Sequence, residues 1–146
     1  MSERPYLGLV MIVRDAAETI DALLGSVLKT PKGMAFDEYV FTDTGSVDDT
    51  RERIGNALAC DNTRRGLFST QWPPADAEPS VFSDDDYRAV LASFAWVNDF
   101  AKARNFAHGL TTAKWVMYLD SDDTFARAER LRPTLREIER TNPRVN

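Results

Sequence analysis

Cysteine is almost absent from the 146-residue chain: Cys60 stands alone, which excludes an internal disulfide and a cysteine-built zinc site. Histidine is as scarce, with His108 alone, and it reads as a helix-surface residue. Neither residue is assigned a role. No apolar run is long: the longest, Tyr6 to Val13, has 8 residues against the ~20 needed to span a bilayer, and no signal-type segment precedes it. Positive charge is not in excess either, since the net charge is −5, so a general attraction to nucleic acid or anionic membrane is not expected. Low-complexity stretches and internal repeats are missing. The basic residues Arg127, Arg130, Arg132, Arg136 and Arg140 alternate with Glu129, Glu137 and Glu139, the pattern of a solvated helix face. These absences point to a soluble protein, with the cytoplasm as the simplest address. The length and the 43% hydrophobic content suit one domain over 1–146 with a proper core.

Several buried strands are spelled out along the chain. Tyr6 to Val13 is nearly unbroken apolar sequence, as in a strand covered on both faces of a parallel sheet. Asp15 and Glu18 form a capping pair ahead of Ile20, Leu23, Leu24, Val27 and Leu28, which predicts a helix over about 16–29. Thr30-Pro31-Lys32-Gly33 is turn chemistry, and Glu38 to Thr42 reads as a second strand ending in Asp43-Thr44-Gly45-Ser46. Ser46 and Asp49 repeat the capping pattern and predict a helix from about Val47 to Ala59. A right-handed crossover places both strands in one parallel sheet. The stretch from about 61 to 88 reads as an irregular insertion, around at most one short strand at Leu67–Gln71. Tyr87 to Ala95 is assigned as a strand, although helix fits its period equally well. Asn98 then caps a helix carrying Phe100, Ala103, Phe106, Ala107 and Leu110, and Lys114 to Leu119 forms another buried strand ending in Asp120. Pro133 suits the first turn of a last helix running to about Arg140.

The chemistry gathers at strand ends. In open α/β sheets ligands sit outside the carboxyl ends of the strands, and three such ends are polar here: Arg14-Asp15, Asp43-Thr44-Gly45-Ser46 and Asp120-Ser121-Asp122-Asp123. Carboxylates are hard oxygen donors. Two of them at i and i+2, Asp120 and Asp122, can face one Mg²⁺ or Mn²⁺ and leave its other positions to phosphate oxygens. An isolated D-x-D is as readily an acidic capping turn. Its position after an apolar strand, with two further polar strand ends, favours the metal.

Three blocks together resemble a family 2 glycosyltransferase of the GT-A fold. The first is Leu9 to Asp15 with Glu18; the second is Phe41-Thr42-Asp43-Thr44-Gly45-Ser46 with Asp48. The third is Phe94 to Ala107, followed by Trp115 to Asp122. The resemblance implies a Rossmann-like, mostly parallel sheet with flanking helices, truncated after the D-x-D. It implies transfer, inverting in outcome on the family's pattern, of a sugar from a nucleoside diphosphate sugar, with a UDP-sugar as the default donor. By the same resemblance Val13 and Arg14 line the base pocket, and Asp43 accepts a hydrogen bond from the uracil imide or the ribose. Arg104 lies near the phosphates or the base edge. Asp120 approaches the ribose or a metal-bound water, and Asp122 ligates the metal.

Plain alternatives stand beside these roles: Arg104 as the ion-pair partner of Asp99 or Asp43, Asp43 as a helix cap, and Arg14 as a surface cation. The family's general base follows well after the D-x-D, whereas 24 residues follow Asp122 here, and none of Glu129, Glu137 and Glu139 is nominated. The base is expected from outside this sequence, from another chain, or not at all. A sheet ending at the D-x-D would also leave an open edge for a second copy or a partner chain. Two rival functions remain: a non-catalytic interaction module keeping the fold, and a haloacid-dehalogenase-like phosphatase with Asp120 as nucleophile. The phosphatase would need a later lysine and acidic pair for which the sequence has no room.

Overall fold

The computed structural model describes residues 4–30, 33–58, 72–83, 87–142 and 144. Apolar alternation along the strands builds the molecule from its sheet outward. Strands β1 (Leu7–Val13), β4 (Glu38–Asp43), β6 (Arg88–Ser93) and β7 (Trp115–Tyr118) run parallel, and β5 (Ser80–Ser83) is added antiparallel to β6. The order across the sheet is β5-β6-β4-β1-β7. A separate two-stranded ribbon joins β2 (Lys29–Thr30) to β3 (Gly33–Met34). The helices are α1 (Ile20–Val27), α2 (Thr50–Leu58), α3 (Phe100–His108) and α4 (Leu131–Thr141), the last preceded by a 3-10 turn at Ala128–Arg130.

The two faces of the sheet are unequal. Leu9, Met11 and Val13 of β1, with Tyr39 and Phe41 of β4 and Leu91 of β6, meet Ile20, Leu23, Leu24 and Val27 of α1, Ile54 and Leu58 of α2, and Leu135 of α4 in one large core. The intervening side chains Val10, Val40 and Val90 face the other way, against Ala107 of α3. Among the described residues this second layer rests on a single helix, and a hollow lies along each of its flanks.

The mostly parallel α/β architecture expected from the strand pattern is the one observed: the strands expected at Tyr6–Val13 and Tyr87–Ala95 appear with trimmed ends, and the one at Glu38–Thr42 extends by one residue to Asp43. Several local expectations are corrected. The first helix begins at Ile20, not near residue 16, and Asp15 with Glu18 does not cap it; the N-cap is Thr19, without a side-chain bond. Asp15 adopts φ 47° and reaches instead across to the next loop, accepting from the amides of Val47 and Asp48. Nor do Ser46 and Asp49 start the second helix at Val47. Ser46 turns its hydroxyl back onto Asp43, and Asp48 accepts from the Thr50 amide where α2 begins. Asn98 is not the cap of α3 either: it has φ 60°, and Asp99 accepts from the Lys102 amide.

The strand before Asp120 is less buried than expected because β7 is an edge, with no strand on its outer side among the described residues. Strand β5 lies inside sequence that reads as irregular, and nothing in the local pattern marks it. The suggested strand at Leu67–Gln71 lies outside the described residues. No helix among the described residues is long and apolar enough to cross a membrane.

Candidate functional site at the carboxyl ends of the sheet

The loops leaving β1 and β4 lock each other. On one side, the amides of Asp15, Ala16 and Ala17 donate to Ser46 Oγ, Thr50 Oγ1 and Asp48 Oδ2 at 2.9, 2.7 and 3.2 Å. On the other, Asp15 Oδ1 accepts from Val47 N at 2.7 Å. Polar side chains thus satisfy amides ahead of α1 that no helix could pair. The result is a hydrogen-bonded floor, made of residues 15–17 and 46–50, beneath the strand ends.

Above that floor lies a cavity of about 520 Å³. Val13, Arg14 and Asp15 line it from β1, Arg104 and Phe100 from α3, Tyr118 from β7, and Asp120 and Asp122 from the turn after β7. Val13, Arg14, Arg104, Asp120 and Asp122 are therefore brought together. Asp43 is not on this lining. It is 2% exposed and faces an adjoining hollow of about 230 Å³, which shares Thr44 and Trp96 with the main cavity. Asp43 Oδ2 accepts from the amides of Gly45 and Ser46, both at 3.0 Å, and its Oδ1 accepts from Ser46 Oγ at 2.5 Å. Gly45 turns the chain there at φ 119°. Arg51 stands 3.9 Å from Asp43 and donates to the Ser46 carbonyl.

Arg104 forms no ion pair among the described residues, because Asp99 is occupied capping α3 and Asp43 faces its own loop. Its guanidinium lies over the rings of Phe100 and Tyr118, 5.0 and 5.3 Å from their centroids. Those two rings hold the cation by its face and leave its N–H edge free for an anion. His108 stacks on Tyr118 and hydrogen-bonds its hydroxyl. Burial raises the Tyr118 pKa, and the charge on Arg104 partly opposes that shift.

After β7 the chain turns tightly. Asp123 Oδ2 accepts from Asp120 N at 2.9 Å, and Asp123 N donates to the Asp120 carbonyl at 3.0 Å. The turn gathers carboxylate oxygens of Asp120, Asp122 and Asp123 within 4.8 Å of one another, all exposed. Three hard oxygen donors at that spacing fit a divalent cation such as Mg²⁺ or Mn²⁺. The D-x-D pattern does not include Asp123 as a ligand, although its place beside that pattern is a usable signal. The sequence does not mark Trp96, Phe100 and Tyr118 as lining either, because aromatics at these positions read equally well as core.

Solved structures share this arrangement of elements. S. aureus TarS, residues 1–349, superposes with a TM-score of 0.60 at 18% identity over 92% of this chain. The fold is that of the GT-A glycosyltransferases. The same protein crystallised with UDP-GlcNAc gives a TM-score of 0.60, and with UDP 0.55. By sequence, the chain is 29% identical over 117 residues to a TPR repeat-containing protein of Synechococcus elongatus, covering 80% of this chain. It spans 32% of the TarS 1–349 chain and 20% of the Synechococcus protein. No family model matches the chain.

Proposed function

We propose that this chain is the donor-binding part of a metal-dependent glycosyltransferase of the family 2 type. The observation that carries this reading is one cavity joining Asp120 and Asp122, of the acidic cluster they form with Asp123, to an arginine, Arg104, that has no carboxylate partner among the described residues. A metal-bound nucleoside diphosphate is held by carboxylates that carry the cation together with a cationic donor to its phosphate oxygens, and both kinds of group line this cavity. The complexes of TarS with UDP and UDP-GlcNAc support a UDP-sugar as the first donor to test.

In this reading Asp122 and Asp120 hold Mn²⁺ or Mg²⁺, with Asp123 buttressing the turn or completing the set. The metal supplies Lewis-acid neutralisation of the charge developing on the leaving diphosphate. Arg104 adds donors to the diphosphate from the opposite wall. Val13 and Arg14 border the nucleoside, and Asp43 presents acceptor oxygens to the base or ribose from the smaller hollow. The double loop lock holds the segments that carry Arg14 and Asp43 before the ligand arrives, which lowers the ordering cost of binding at those two segments.

A second reading keeps the binding and drops the turnover. Every carboxylate lining the cavity is already engaged. Asp15 braces the neighbouring loop, and Asp120 and Asp122 belong to the acidic cluster. Glu139, on α4, is tied to Tyr6, Lys114 and Trp115 at the amino-terminal ends of β1 and β7, away from the cavity. Among the described residues no cavity-lining carboxylate is left to act as the base of an inverting transfer, which favours a donor-binding module served by a base from elsewhere. The phosphatase alternative loses support from the GT-A-type fold.

Calorimetric titration with UDP, GDP and their sugar conjugates, in Mn²⁺, Mg²⁺ or chelator, tests the donor site directly. We expect metal-dependent binding of a uridine nucleotide, lost in Asp122→Ala. Absence of nucleotide binding at millimolar concentration in the folded protein would reject the reading.

A further inference from the structure

On the opposite flank of α3 from the donor cavity lies a hollow of about 410 Å³ that shares no lining residue with it. Phe94 and Phe106, with ring centroids 4.8 Å apart, and Leu110 give it an apolar wall. Val97, 51% exposed, extends that surface to the rim. The segment leading into β5 forms the other wall and contributes Asp76 and Glu78. Both carboxylates are exposed, and neither has a hydrogen-bond or ion-pair partner among the described residues. Among the described residues no lysine, arginine or histidine is on the lining, so within that lining two negative charges stand beside an apolar surface without a compensating cation.

That combination selects its ligand. An anion is repelled, and a wholly apolar group would strip water from the carboxylates without replacing it. A cationic head on an aliphatic stem satisfies both walls, which is the chemistry of lysine and arginine side chains. The neighbouring backbone favours a polypeptide as the source. The wall carrying Asp76 and Glu78 continues into β5, an edge strand paired only with β6 among the described residues. Such an edge offers N–H and C=O groups to an extended chain. Val81 of β5 pairs with Val90 of the α3-side core, so it shares the face of the hollow, and it is 51% exposed.

We propose that this hollow binds a lysine or arginine side chain of a partner polypeptide, its stem against Phe94 and Phe106 and its charge against Asp76 and Glu78. The site stands independently of the donor-site reading.

The test is a ¹⁵N NMR titration of the full chain with acetyl-Ala-Lys-Ala-amide and acetyl-Ala-Arg-Ala-amide. The norleucine tripeptide and hexylamine serve as comparisons. The expected result is saturable shifts at Phe94, Val97 and Leu110 with the basic peptides, weakened by salt and at least ~10-fold weaker in the Asp76→Asn, Glu78→Gln double variant. The norleucine peptide is expected to leave those signals in place, and the double variant to bind UDP as the parent does. Equal binding of the norleucine peptide, undiminished binding by the double variant, or shifts confined to other surfaces would overturn the proposal. Hexylamine binding as tightly as the peptides would overturn the polypeptide as the source.

Discussion

Glu38 and Gly45 show how much a single position can carry. Glu38 is 0% exposed at the start of β4, where its carboxylate receives Arg88 Nη1, Thr111 Oγ1, and both the amide and hydroxyl of Thr112. It pins the loop before β7 to the middle of the sheet, at the end opposite the cavity. Glu38→Ala should lower the unfolding free energy by about 3 kcal/mol, because it strands Arg88 and the Thr112 amide together. Urea midpoints measure this, and adding Arg88→Met should cost little more, as expected for partners in one network. Gly45 is the converse case: at φ 119°, an added Cβ would meet nothing within 4 Å, so any penalty is purely one of backbone conformation. Gly45→Ala should cost about 1–3 kcal/mol and weaken nucleotide binding by displacing Asp43. Gly25→Ala, within α1 and also free of neighbours, should instead stabilise by about 0.5–1 kcal/mol and leave binding unchanged.

Among the elements, α4 depends most on electrostatics. Glu139 ties it to the sheet by accepting from Lys114 Nζ at 2.6 Å, Trp115 Nε1 at 3.0 Å and the Tyr6 hydroxyl at 3.1 Å. The bond from Lys114, then that from Trp115, lowers the Glu139 pKa from its ordinary 4.5 to about 2. A carboxylate with a depressed folded pKa stabilises above its unfolded value and loses that contribution as pH falls through the folded one. The difference in melting temperature between the parent and Glu139→Gln should therefore be constant above pH 4.5 and vanish as the pH approaches about 2. Thermal scans across that range check it, and an unchanging difference would mean the ion pair contributes nothing to holding α4.

For the whole molecule, the proposed donor binding links to stability. A ligand that binds only the folded state adds about 2.7 kcal/mol at a hundredfold excess over its Kd. UDP with Mn²⁺ should accordingly raise the melting temperature in proportion to the logarithm of its concentration. Chelator or Asp122→Ala should abolish the rise, whereas Arg104→Ala should reduce it while keeping its metal dependence. Thermal-shift titrations separate these outcomes.

The parallel strands, α3 and the convergence of the strand ends at Arg14 and at Asp120 with Asp122 are legible in the amino-acid sequence alone, whereas Val13 and Arg104 are reached only through the family resemblance. Apolar periodicity and the polar residues closing each strand are local signals, spaced by two to four positions, and they survive folding unchanged. What folding in three dimensions adds lies in pairings across the chain. Asp15 bracing Val47, and the amides of Asp15 and Ala16 meeting Ser46 and Thr50, join residues 31 to 34 positions apart. Their partners depend on the register between β1 and β4, so the local capping pattern around Asp15, Glu18, Ser46 and Asp49 points to the wrong bonds. Among the described residues, Trp96, Phe100 and Tyr118 become cavity walls, and Asp76 and Glu78 unpaired charges beside an apolar hollow, because a single helix covers that face of the sheet. Which surface a helix leaves open is a property of packing, and no residue in the chain encodes it alone.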